Sequence, residues 1–271
     1  MSDYSLRFGG IARLYGLHGA QILQKAHFCV IGIGGVGSWV VEALARNGVG
    51  HLTLIDLDDI CITNINRQIH ALNDTIGESK VEVMSKRITQ INPDCQVTAI
   101  EDFVTVENLS NLLGRKYDYV IDAIDSVDIK TRLIAHCKRN KLPIITIGGA
   151  GGQVDPSKIA ITDLSKTYQD PLLAKVKYQL RREFNFPRAD LAKISKRKFA
   201  IDAVFSTEQL RYPTEQGEVC LAKPDVTDNN NTTMRLDCSS GFGATTHVTA
   251  TFAFFAVGRA IDKLLTKSRD R

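Results

Sequence analysis

The sequence predicts an α/β fold: a doubly wound, mainly parallel sheet with C-terminal α/β elaborations. Three observations predict it. Short apolar runs alternate with helical patterns through the first half, a glycine-rich turn joins the first run to the first helix, and charged residues gather just after the runs. Strand–helix alternation with apolar strands implies parallel pairing with helices on both faces. Such sheets hold ligands beyond the carboxyl ends of their strands.

The elements follow in order. "HFCVIGI" (27–33) reads as the first strand, and "VGSWVVEALARNGVG" as the helix after it. "HLTLID" is the second strand, and "KVEVMSKRITQIN" a long amphipathic helix stopped by Pro93. "QVTAIE", "YDYVIDA" and "PIITIG" are further strands, with "SVDIKTRLIAHCKRN" a helix between the last two. After "GGAGGQVDP" (148–156) the character changes. "SKIAITDL" reads as a strand, "DPLLAKVKYQLRREFNF" as a basic helix, and "KISKRKFAIDAVFSTEQ" as a charged turn and a strand. From Pro213 to Ser240 the chain is polar, with "TDNNNTT" expected to be a mobile loop. Its 271 residues suffice for one large domain. The expected division is a helical arm (1–25), a ligand-binding core (26–150) and substrate-binding and dimer elaborations (151–271).

Apolar content of 44% and charged content of 24% are ordinary for a globular protein. The net charge of +4 admits an acidic partner such as RNA without requiring one. The six cysteines form no Cys-x-x-Cys pair, which argues against structural zinc. Several lie in apolar runs, as buried thiols of a reducing cytoplasm do. "MSDYSLRFGG" has no signal-peptide core. Residues 241–258 lack charge over eighteen positions, close to the length of a membrane span. His247 and the threonines there favour a buried helix, with a dimer interface as one setting for it, over membrane association.

"GIGGVG" spaces Gly32, Gly34 and Gly37 as Gly-x-Gly-x-x-Gly between a strand and a helix, as in a Rossmann-like nucleotide fold. Glycines allow close approach to a phosphate, and the helix N-terminus supplies amides. Asp56, ending the second strand, is placed for ribose hydroxyls. A nicotinamide site needs only that acid. Here Asp58, Asn64, Arg67 and Gln68 follow at once, and Lys80 opens the next helix. One helical turn would aim Asn64 and Arg67 the same way, and the guanidinium fork suits phosphate oxygens. Asp122 and Asp125 end a later strand. A carboxylate there suits Mg²⁺, although Asp125 also stands where a residue could cap the helix beginning near Ser126. Taken together, the set points to ATP with magnesium.

This ordered set resembles the ubiquitin-activating-enzyme superfamily, including the adenylyltransferases of molybdopterin and thiamine biosynthesis. The resemblance implies a ThiF-type adenylating domain. It implies that Gly34 and Gly35 line the nucleotide, Asp56 holds the ribose, and Asn64, Arg67 and Lys80 contact the phosphates. Asp125 and Ser126 match the magnesium and nucleotide position. Arg13, in "RFGGIARLYG", matches an arginine that such proteins place in a partner subunit's site, which implies a homodimer.

The molybdopterin and thiamine branches usually carry zinc-binding Cys-x-x-Cys pairs, absent here. "RFGGIARLYG", "DPLLAKVKYQLRRE", "FSTEQ" and "LDCSSGFGATTHVTATFAFFAVG" instead resemble, over nearly the whole chain, the bacterial branch that dehydrates threonylcarbamoyladenosine at position 37 of tRNA. That resemblance implies ATP-driven activation of the modification's carboxylate and ring closure within it. The basic segment 175–198 then reads as a tRNA footprint, with Arg181, Arg182, Lys196, Arg197 and Lys198 as its candidates. Cys238 and Cys220 are the candidate thiols, since the branch is associated with a sulfur-acceptor protein of a cysteine-desulfurase system. The carbonyl-rich "GGAGG" loop is a candidate site for a monovalent cation. The alternatives are adenylation of a ubiquitin-like sulfur carrier and, more distantly, NAD-dependent oxidoreduction.

Overall fold

The computed structural model describes residues 3–114, 116–188, 198–214, 216–222 and 242–269. Its strands are β1 (His27–Ile31), β2 (His51–Ile55), β3 (Gln96–Ile100), β4 (Tyr119–Asp122), β5 (Ile144–Ile147), β6 (Ile159–Asp163) and β7 (Asp202–Ser206). They form one sheet in the order β3-β2-β1-β4-β5-β7-β6, parallel except for β6 against β7. The strand order reverses between β1 and β4, where a doubly wound sheet opens a crevice. Register makes that crevice sharp: Ile31 at the tip of β1 pairs with Ile55 on one side and Asp122 on the other.

β1 shows why the apolar runs are strands. Phe28 and Val30 enter one buried cluster while Cys29 and Ile31 enter the other, so alternate side chains serve opposite faces. The first face is covered by α2 (Gly37–Arg46), α3 (Lys80–Ile91) and α7 (Thr246–Arg269). The second is covered by the short α4 (Leu109–Leu112), α5 (Val127–Arg139) and α6 (Pro171–Glu183). Ahead of the sheet runs α1 (Asp3–Lys25), kinked at Gly16, whose φ of +77° suits a residue without Cβ. Its first turn is fastened by the Tyr4 hydroxyl, which donates to the Gly48 carbonyl at 2.6 Å.

Two expectations change. The polar stretch after Pro213 begins with a small hairpin, β8 (Tyr212–Pro213) against β9 (Val219–Cys220), while 223–241, with "TDNNNTT", lies outside the described residues. Within the uncharged stretch, residues 242–245 are not helical, and the helix begins at Thr246 and continues through the basic tail as α7. Val248, Phe252, Ala256 and Ala260 on α7 are fully buried. Among the described residues no helix is long and apolar enough to cross a membrane.

Candidate active site at the strand tips

A cleft of about 1140 Å³ opens at the tips of β1, β2 and β4. That is at or above the upper end of the usual range for small-ligand pockets, about 300–1,000 Å³. Gly32, Gly34 and Gly35 line it. Gly32 has φ +85° and passes against the Ala123 backbone. Gly37, expected among the nucleotide contacts, does not line the cleft. A Cβ there would collide with the Gly32 carbonyl, so Gly37 lets α2 close over the turn.

Asp56 secures that turn. Its Oδ2 accepts from the Ile33 amide at 2.5 Å and its Oδ1 from the Asp58 amide at 2.9 Å. Burial pushes this carboxyl above its ordinary range, against the opposing pull of Lys80 and the two amides. Each oxygen keeps a lone pair for a further donor. Lys80, the first residue of α3, is only 5% exposed, and its Nζ stands 2.7 Å from Asp58 Oδ2. Asp58 itself is open to solvent.

The turn after β2 is built by Asn64, whose Oδ1 accepts from the Cys61 amide at 3.1 Å. The Asn64 carbonyl then receives the amides of Arg67 and Gln68. The Arg67 backbone is held by the Trp39 indole, which donates to its carbonyl at 3.0 Å. Arg67 is half-buried, and its guanidinium donates to the Thr63 carbonyl at 2.7 Å and to Asn66 Oδ1 at 2.9 Å. Gln68 lines the cleft with a buried Oε1 that has no partner among the described residues.

Across the cleft, Asp125 and Ser126 are exposed and line it. Ser126, not Asp125, takes the N-cap position of α5, and its side chain makes no capping bond. Asp122 is a correction. It is wholly buried, with Oδ2 2.8 Å from Lys130 Nζ and 2.6 Å from the Thr146 hydroxyl, and it supports β4 from beneath instead of facing the cleft. Arg13 is exposed on α1 and does not line this chain's own cleft.

The far half of the cleft is built by residues 148–151, Leu172, Pro213, 242–244 and Thr249. Asp170, missed from sequence, ties it together. Oδ1 caps α6 at the Leu173 amide (2.9 Å), and Oδ2 accepts from the Gly149 amide (3.0 Å). The Asp-Pro start of that helix signalled the cap, but nothing local signalled Gly149. Phe103, 56% exposed on the cleft wall, and Cys61 were also missed. Thr63 donates to Cys61 Sγ at 3.3 Å, and this bond, with help from Arg67, lowers the thiol's pKa. Cys220 is half-buried on β9 and outside the cleft; Cys238 lies outside the described residues.

The basic segment is divided. Arg181, expected on an outward footprint, is half-buried: its Nε donates to the Pro187 carbonyl at 3.2 Å, and its guanidinium covers the Phe199 ring. Arg182 and Lys198 are exposed, while Lys196 and Arg197 lie outside the described residues.

The profile of the ThiF family matches residues 9–270. The tRNA threonylcarbamoyladenosine dehydratase of Haemophilus influenzae is 58% identical over 98% of this chain and 96% of its own length. The protein of that name from Escherichia coli is 55% identical over 97% of this chain and 94% of its own. The crystal structure of E. coli tRNA N6-threonylcarbamoyladenosine dehydratase, TcdA, in complex with ATP is similar with a TM-score of 0.86 at 51% identity, covering 100% of this chain and 98% of that one.

Proposed function

The chain belongs to the ThiF family, and from that premise we propose that it is an ATP-dependent tRNA threonylcarbamoyladenosine dehydratase. One observation carries the reading. Asp56, Arg67, Lys80 and Asp125 open into a single cleft, in a chain closely similar to two proteins of that name.

A carboxylate is a poor electrophile and hydroxide a poor leaving group. In this reading the carboxylate of the threonylcarbamoyl group attacks the α-phosphorus of ATP, giving an acyl-adenylate and expelling pyrophosphate. Asp56 accepts from the ribose, and Gly34 and Gly35 let the backbone approach the phosphates. Asn64, Arg67, Gln68 and Lys80 take the phosphate oxygens, and the two cations spread the charge on the pentacoordinate phosphorus. An atom of the same threonylcarbamoyl group then attacks the acyl carbon. The ring closes, AMP leaves with one carboxylate oxygen, and the nucleoside has lost the elements of water.

Asp125 fits magnesium: its carboxylate is exposed in the cleft and has no ion pair among the described residues. Magnesium usually takes one or two carboxylates and completes its shell with phosphates and water. When bound, it neutralises phosphate charge. Loop 148–152 is our candidate for a monovalent cation. We infer a homodimer in which Arg13 enters the other copy's cleft, since its helix also exposes Leu6, Leu14 and Leu17. In the proposed division, 1–25 is the arm, 26–150 the ATP-binding core and 151–271 the tRNA and dimer part. The cytoplasm is the proposed compartment, and the exposed edge at Cys220 the candidate contact for a sulfur-acceptor protein.

α-Labelled ATP tests the reading. AMP should appear only with threonylcarbamoyl-modified tRNA, and that nucleoside should lose one water mass. AMP appearing instead with a ubiquitin-like carrier would move the chain to the sulfur-carrier adenylyltransferases.

A further inference from the structure

α6 starts at the cleft and carries two kinds of cation. Leu172, in its first turn, lines the cleft, and Asp170 just before it holds the Gly149 amide. The inward cations are committed to the fold. Lys177 donates to the Thr167 carbonyl, and Arg181 is held by Pro187 and the buried Phe199 ring. The outward ones are not. Lys175 is exposed, and Arg182 is exposed with one carboxylate neighbour among the described residues, Glu183 at 2.6 Å.

Between them stands Tyr178, 61% exposed, with the Arg182 guanidinium 5.5 Å from its ring centroid. Positions 175, 178 and 182 recur at helical spacing, so the three side chains form one stripe. The six steps from Leu172 to Tyr178 span about 9 Å at about 1.5 Å each, a short distance from the cleft wall. An aromatic ring left in water between cations suits a nucleobase flanked by phosphates. Any base offers a π-face to the ring, and the cations meet the backbone.

We propose that Lys175, Tyr178 and Arg182 form the surface that grips the substrate tRNA beside the cleft, with Tyr178 stacking a base next to the modified nucleoside. This rests on the dehydratase reading above. It assigns the two kinds of contact to different residues: Tyr178 supplies stacking, which is insensitive to salt, and the cations supply phosphate binding, which is not.

The test is binding of threonylcarbamoyl-modified tRNA to the full chain over a series of salt concentrations. Tyr178→Ala should weaken binding about tenfold or more, the range of a lost stacked base, with the salt slope unchanged. Tyr178→Phe should restore it. Arg182→Ala should weaken binding and reduce the salt slope by about one. Tyr178→Ala bound as tightly as wild type overturns the proposal, as does an unchanged slope in Arg182→Ala. Failure of the underlying reading looks different: wild type itself would release no AMP with that tRNA.

Discussion

Two regions of this protein place a lysine against an aspartate at the tip of a strand, and they serve opposite ends. At the tip of β2, Lys80 meets Asp58 at 2.7 Å, with the lysine side chain 7% and the acid side chain 57% exposed. At the tip of β4, Lys130 meets Asp122 at 2.8 Å, with both wholly buried. An ammonium has three N–H donors. Lys130 directs them to Asp122 Oδ2, the Thr146 hydroxyl at 3.2 Å and the Asp122 carbonyl at 3.5 Å. Nothing is left for a ligand. Lys80 has one such partner among the described residues and faces the cleft. The same pair of residue types is scaffold where it is saturated and a candidate site where it is not.

The largest expected effect falls on the sealed pair. Lys130→Met leaves Asp122 buried without its counter-charge, and denaturant titration should show a loss of about 3–5 kcal/mol of stability. A loss under about 1 kcal/mol would mean that Asp122 reaches water and that the contrast is false. Next comes Lys80→Met. It should cut tRNA-dependent AMP formation by roughly 10²–10³-fold, the scale of one lost transition-state donor. Stability should move by less than about 1 kcal/mol, because Asp58 is free to hydrate.

The smallest effect concerns the wall behind Lys80. His70 is 1% exposed, and neither ring nitrogen has a partner among the described residues. Burial first, then the charges of Lys80 and Arg87, holds its pKa down to about 4. An unfolded histidine titrates near 6.5. As pH falls from about 6.5 toward 4, the unfolded chain therefore takes up a proton that the folded one refuses. Stability should drop across that window and level off below it, by up to about 3 kcal/mol. His70→Leu should flatten that part of a pH–stability profile. An unchanged profile would mean that the lysine's surroundings are wetter than drawn.

The same contrast explains what could be read from the residues alone. The strands were legible because Phe28 and Val30 alternate with Cys29 and Ile31 and their burial follows suit. Asp56 and Asp125 were legible because they follow closely on strand tips, and Arg67 and Lys80 because they belong to the connection that leaves β2 and opens α3 at the same edge. In "DAIDS" the two acids looked equivalent. Only partners at positions 130 and 146 separate the buried Asp122 from the open Asp125. The insertion of β7 between β5 and β6 is a long-range pairing that no local pattern encodes. The hairpin β8–β9, with two residues per strand, is too short for alternation to register. Asp170 was invisible for the same reason as Asp122, since its contact with Gly149 crosses 21 positions.

α7 follows every strand in the chain, yet Val248, Phe252, Ala256 and Ala260 fill the cluster shared with Phe28, Val30 and Ile121. During synthesis, at about 5–20 residues per second, the part of that face not covered by α2 and α3 waits wet for its cover. Nascent or clipped molecules ending before Thr246 display that apolar slab, which makes them natural clients for chaperones and proteases.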